Sequence, residues 1–199
     1  MAMRALVFDL GGPLVTETHQ LPPVVAGLGA QPPAGHQAYW ETRLGYDAGT
    51  TSEVDYWSGV AGRPVEQAEA EELGRQDAAY WTSIRPEAEQ LLREVRATGT
   101  PLWVLSNAPA LIEPAIDAAG WRSQVSGRFV SGVLGLLKPD EAIYAHVEQE
   151  LGLPGSELAF IDDRPANLDA AAAHGWTTHL YVDDADTRAW LVELGVLPG

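Results

Sequence analysis

The sequence has no cysteine, which excludes disulfide staples and thiolate metal sites and suits a reducing cytoplasm. It has no apolar run approaching the roughly 18 residues that a bilayer span requires. Met1-Ala2-Met3-Arg4 leads straight into an apolar segment, without the pattern of a secretory signal. Basic residues are scarce: 12 Lys and Arg face 28 Asp and Glu, for a formal net charge of −16. A surface of that sign repels nucleic-acid backbones, and an anionic ligand would need local help from a cation or from backbone amides. These absences lead to the expectation of a soluble, cytoplasmic monomer or homodimer, with neither membrane nor nucleic acid as partner.

What is present is an ordinary globular composition, 46% hydrophobic and 20% charged over 199 residues, enough chain for a sizeable core in one or two domains. A short apolar run, Arg4-Ala5-Leu6-Val7-Phe8, reads as a buried strand and ends on Asp9, with Gly11, Gly12 and Pro13 close behind. Further strands read at Pro101–Asn107, more weakly at Arg128–Ser131, at Glu157–Ile161 and at Thr177–Val182. Amphipathic segments alternate with them: Arg85–Ala97, Pro109–Ala119, Asp140–Leu151, Pro165–Ala173 and Thr187–Leu194. A glycine-rich loop leads into Lys138-Pro139. Such alternation implies βαβ units and a parallel sheet, hence an α/β fold with helices on both faces.

Residues 16–83 carry no strand pattern. Pro22-Pro23 and Pro32-Pro33 punctuate their start. A helix follows with Tyr39, Trp40, Leu44 and Tyr46 on one side, then a second capped by Thr51 or Ser52, and a third over Pro64–Trp81. This predicts a small all-helical insertion between the first strand and the rest.

The polar residues gather at the carboxyl ends of the strands, where open α/β sheets place their ligands. Asp9, Asp162 and Asp163 are hard oxygen ligands of the kind Mg²⁺ prefers. Gly11 and Gly12 let backbone groups approach a small charged ligand closely. Ser106 and the amides after it can donate hydrogen bonds to a phosphoryl group. Lys138 brings a point charge that offsets the crowded carboxylates. An aspartate so placed can attack phosphorus and form an acyl phosphate.

These four stretches, in this order and at these spacings, resemble the haloacid dehalogenase-like (HAD) hydrolase superfamily. Phe8-Asp9-Leu10-Gly11-Gly12-Pro13-Leu14 is similar to its first motif, Ser106 to its second, Lys138-Pro139 to its third and Ile161-Asp162-Asp163 to its fourth. The resemblance implies a Rossmann-like core over residues 1–15 and 84–199 and a helical cap over residues 16–83. It also implies dependence on Mg²⁺ and a small phosphorylated molecule as substrate. Carried over, Asp9 becomes nucleophile and metal ligand, and the Gly11 carbonyl a further metal ligand. Ser106 and the Asn107 backbone would hold the phosphoryl oxygens, and Lys138 would bridge Asp9 and phosphate. Asp163 is the first choice for the direct metal ligand, with Asp162 acting through water or from behind. Asn167 stands where the family often places a further acid or amide.

One position departs from the pattern. The phosphatases of this family usually carry a second aspartate, the general acid and base, two residues after the nucleophile; here that residue is Gly11. Pro13 also removes a backbone N–H from the loop. Two alternatives follow: a carbon–halogen hydrolase, whose relatives also lack this aspartate but need no metal, and a non-catalytic phosphate-ligand binder. In the insertion, Arg43 is a candidate substrate-binding cation. Tyr39, Trp40, Tyr46, Tyr56 and Trp57 read first as core. His19, His36, His146, His174 and His179 show no metal-ligand spacing.

Overall fold

The computed structural model describes residues 3–15, 21–28 and 34–199, with backbone alone for residues 34–36. The expectations placed on residues 16–20 and 29–33, His19 among them, lie outside the described residues, as does the His36 side chain. Five strands, β1 (Ala5–Phe8), β2 (Leu102–Ser106), β3 (Gly127–Val130), β4 (Leu158–Asp162) and β5 (Thr177–Leu180), form one sheet in the order β3-β2-β1-β4-β5. Every neighbouring pair is parallel.

The helical insertion after β1 contains α1 (Pro23–Gly27), α2 (Ala34–Glu41), α3 (Arg43–Asp47), α4 (Glu53–Ala61) and α5 (Gln67–Trp81). The core helices are α6 (Pro86–Ala97), α7 (Ile112–Ala118), α8 (Ser131–Leu134), α9 (Glu141–Leu151), α10 (Pro165–Ala173) and α11 (Asp184–Glu193). Alternation along β1 sorts its side chains between two apolar layers. Leu6 and Phe8 pack with Leu92 of α6, Ile116 of α7 and Leu191 of α11. Ala5 and Val7 pack on the other face with Tyr144 and Val147 of α9 and Leu168 of α10. β1 and β4 are buried at every residue, the signature of a parallel sheet covered on both faces. Each fully buried Leu or Phe contributes about 1.5–3 kcal/mol. The result is a three-layer Rossmann-like core. Among the described residues no helix is long and apolar enough to cross a membrane.

The insertion has its own apolar cluster, built on Tyr39, Tyr46, Tyr56, Trp57 and Leu73, so four of its five singled-out aromatics are core. Tyr46 and Tyr56 stack with centroids 4.2 Å apart. Ser52 caps α4 by accepting the Asp55 N–H at 3.1 Å, and Pro86 and Pro165 occupy first turns, where no N–H is missed.

Three local expectations are corrected. The helix expected to carry Tyr39 to Tyr46 on one side is broken at Thr42 into α2 and α3, and Leu44 is 64% exposed. The turn at Thr42 rotates α3 so that Arg43 and Asp47, spaced i and i+4, face inward instead. The loop before Lys138 contains α8, one helical turn. The last strand stops at Leu180; the Tyr181 N–H still donates to the Asp162 carbonyl at 3.0 Å, while its hydroxyl meets Arg85 and Asp184.

Candidate active site

β1 connects toward β2 while β4 connects toward β5 on the opposite side, so the crevice between their carboxyl ends is the switch point of the sheet. Asp9 lies at this point. Its N–H still donates to the Ile161 carbonyl at 2.8 Å, which ties the residue to both central strands.

Lys138 is the only lysine in the sequence, and it is 3% exposed. Its ammonium reaches Asp9 Oδ1 at 3.0 Å, Asp162 Oδ2 at 2.7 Å and the Leu105 carbonyl at 2.8 Å, matching its three N–H donors. Burial works against this charge, but Asp9 and Asp162 outweigh it and hold the amine above its ordinary pKa. The Asn107 side chain clamps the Lys138 main chain in both directions, donating to its carbonyl at 2.7 Å and accepting its N–H at 2.8 Å.

The Asp162-Asp163 pair divides its labour. Asp162 is fully buried and accepts from Lys138, from the Arg164 N–H at 2.8 Å and from Asn167 Nδ2 at 3.0 and 2.9 Å. Its oxygens are filled by protein donors, and Asn167 is the group that orients it. Asp163 is half-buried and faces the cavity. Opposite it Gly12 adopts φ +79°, and a Cβ there would stand 2.9 Å from Asp163 Cβ and Cγ. Only glycine allows both that backbone and that approach.

Oxygen atoms of Asp9, Asp162 and Asp163 lie within 4.8 Å of one another. Three carboxylates this close concentrate negative charge, and an oxygen-seeking divalent cation would help to balance it. Burial pushes the Asp9 carboxyl up to about 7; Lys138 opposes the rise, and Asp162 and Asp163 add to it. The Asp163 carboxyl is likewise raised, by burial and by Asp162. A cation at Asp9 and Asp163 would reverse both effects. The donor set and its charge therefore fit Mg²⁺.

A cavity of about 200 Å³ opens above these groups. Asp9, Gly11, Ser106, Asn107, Lys138 and Asp163 line its floor, and Trp40, Arg43, Leu44, Asp47 and Trp81 from the insertion form its wall. Every site residue named from the sequence except Gly12 and Asp162, which stand directly behind Asp163 and Lys138, lines this cavity. Arg43 reaches it, but as a paired group rather than a free cation. Its Nε donates to Asp47 Oδ1 at 2.7 Å and its Nη1 to Asp77 Oδ2 at 2.9 Å and to the Tyr39 hydroxyl.

The family model for haloacid dehalogenase-like hydrolases matches residues 3–175. The chain belongs to that family. The hydrolase is 32% identical over 120 residues to a sesquiterpene phosphatase of Aspergillus oryzae, covering 58% of this chain and 59% of that protein. It is 35% identical over 144 residues to enolase-phosphatase E1 of Pseudomonas aeruginosa, covering 63% and 56%. The chain thus spans somewhat more than half the length of these relatives. A HAD-family enzyme of Bacteroides thetaiotaomicron superposes with a TM-score of 0.72 at 18% identity, over 95% of this hydrolase and 99% of that chain. At that identity the likeness speaks for the fold alone.

Sequence reasoning missed Asp47, Trp81 and Arg164 as cavity residues. Asp47 had a signal, its i+4 spacing from Arg43, and Arg164 directly follows the acidic pair. Trp81 had none, since it enters the wall only through the packing of α5. Of the histidines, His146 packs edge-on against Phe129, His174 lies 3.5 Å from Glu148, and His179 stacks on Trp190.

Proposed function

We propose that this hydrolase is a Mg²⁺-dependent phosphatase of small phosphorylated molecules and that Asp9 is its nucleophile. The observation that carries this reading is the pairing of two cavity-facing carboxylates, Asp9 and Asp163, with one buried ammonium that is already neutralised from behind by Asp162. A carbon–halogen hydrolase that uses no metal would have no use for the gathering of Asp9, Asp162 and Asp163, whose oxygens lie within 4.8 Å of one another. The relatives in Aspergillus and Pseudomonas are phosphatases by name, and the Bacteroides enzyme has been crystallised with magnesium and inorganic phosphate.

Asp9, Asp163 and the Gly11 carbonyl would hold the metal, with Asp162 acting behind them on Lys138. The ion would supply charge neutralisation, allowing an anionic phosphate to enter a site of excess negative charge. Ser106 Oγ and the Asn107 N–H hold the equatorial phosphoryl oxygens, and Lys138 offsets charge between Asp9 and the phosphoryl group. An Asp9 oxygen bonds to phosphorus as the ester P–O bond breaks, giving an acyl phosphate. Water then attacks that phosphorus, releasing phosphate and restoring the carboxylate. A cavity of about 200 Å³ suits a small ester.

Assays against a panel of small phosphate esters test the proposal. Phosphate release is expected with Mg²⁺, and is expected to vanish with chelator or in Asp9→Asn. Chloride release from 2-chloropropionate in chelator, or tight ester binding without turnover, would overturn it.

A further inference from the structure

We propose that Asp47, contributed by the helical insertion, is the general acid and base of this hydrolase, the role for which Gly11 offers no side chain. The inference rests on the phosphatase reading above. Among the described residues that line the cavity, the carboxylates are Asp9, Asp47 and Asp163, and no histidine is present. Asp9 is committed to phosphorus and Asp163 to the cation, and the Lys138 donors are all engaged. Asp47 is the group left that can give up a proton and take it back.

Its surroundings suit that task. Arg43 is shared between two carboxylates, Asp47 and Asp77. Asp77 is 1% exposed and receives both the Tyr39 hydroxyl at 2.7 Å and Arg43 Nη1 at 2.9 Å. Among the described residues, the donor to the Asp47 carboxylate is Arg43 Nε, on Oδ1. Of the two buried carboxylates that share the Arg43 guanidinium, Asp47 is the one with fewer donors among the described residues and the one that meets the cavity. Burial pushes the Asp47 carboxyl up to about 6, with Arg43 opposing the rise, Asp77 adding to it and Arg164 opposing it. A group that titrates near the working pH is the effective general acid and base.

The backbone around Asp47 is also held in place. The Ser131 hydroxyl donates to the Asp47 carbonyl at 2.6 Å and accepts the Ala108 N–H at 2.9 Å. Asp47 is thereby latched to the loop that begins at Ser106. Two residues on, Gly49 at φ +72° lies so close to the core that a Cβ would stand 2.9 Å from the Gly132 carbonyl oxygen.

In the first step the Asp47 carboxyl gives its proton to the ester oxygen as the bond from Asp9 to phosphorus forms and the ester P–O bond breaks. In the second the Asp47 carboxylate takes a proton from water as the water oxygen bonds to phosphorus. The acyl phosphate P–O bond breaks, and Asp9, phosphate and protonated Asp47 result.

Leaving-group dependence tests the assignment, because kcat/KM reports the first step and only poor leaving groups need the proton. With Mg²⁺, Asp47→Asn is expected to lose about 10²–10³-fold in kcat/KM on an alkyl phosphate and less than about tenfold on 2,4-dinitrophenyl phosphate. The alkaline limb of the alkyl ester's pH profile should disappear as well. Equal losses on both esters would mark Asp47 as merely structural and overturn the proposal, as would a loss below threefold on the alkyl ester. Should the variant not fold, the wild-type enzyme decides: a shallow dependence of kcat/KM on leaving-group pKa supports the assignment, and a steep one overturns it. Phosphatase activity with a negative Asp47 result removes this inference alone, whereas a wild-type enzyme inactive on both esters removes the phosphatase reading too.

Discussion

Replacing Lys138 by methionine keeps the length and bulk of the side chain and deletes its charge. In the native protein that ammonium is 3% exposed and its three donors meet Asp9, Asp162 and the Leu105 carbonyl. Without it two buried carboxylates face each other with no cation between them. Removing one partner of a buried ion pair costs about 3–5 kcal/mol, against a total stability of about 5–15 kcal/mol. At about 2–4 °C per kcal/mol for a chain of this size, Tm should fall by roughly 6–20 °C. Urea unfolding at pH 8 in chelator gives the free-energy difference directly. Adding Asp162→Asn to Lys138→Met removes one of the two orphaned charges. The double variant should therefore recover about 0.5–3 kcal/mol relative to the sum of the single losses. A loss below about 1 kcal/mol with an unchanged urea slope, or strict additivity in the double variant, would refute the claim that charge pairing holds this site together.

Three further outcomes follow from the same geometry. Gly12→Ala should destabilise by about 1–3 kcal/mol through its positive φ alone and should weaken Mg²⁺ binding, because the new methyl group displaces Asp163; urea unfolding and metal titration read the two effects separately. Millimolar Mg²⁺ should raise the Tm of the wild-type protein in a concentration-dependent way, and this rise should be lost in Asp163→Asn. His179, whose pKa burial holds below its ordinary 6.5 against the pull of Asp186 and Glu193, binds a proton less readily folded than unfolded. Its contribution to stability is therefore complete above about pH 6.5 and is lost as the pH falls through the unfolded and then the folded value. His179→Phe, which keeps a ring against Trp190, should lose less Tm between pH 7 and pH 5 than the wild-type protein.

Much of this site is legible in the sequence because strand ends are local features. An apolar run followed by Asp9, by Ser106-Asn107 or by Asp162-Asp163 announces both a strand and its polar terminus, and parallel topology then brings those termini to one rim. The extra helix break at Thr42 is less legible. Tyr39, Trp40 and Leu44 have helical spacing, and only the chance to bury Arg43 between Asp47 and Asp77 turns Leu44 outward. The unequal roles of Asp162 and Asp163 are not legible at all from adjacent identical residues. Alternation at the end of β4 points one carboxylate back toward Lys138 and Asn167 and the other into the cavity.

The sequence by itself determined the α/β alternation, the helical insertion, the positions of the polar strand ends and the missing side chain at Gly11. These depend on the period of apolar residues and on single residue identities, both of which are carried locally along the chain. Tertiary structure alone decided which charges are paired. Lys138 meets Asp9 and Asp162 across three strands, and Asp47 meets the cavity because the insertion packs on the core, with Ser131 holding the Asp47 carbonyl. Burial and charge balance depend on residues far apart in the chain, and they exist only once the fold has brought those residues together.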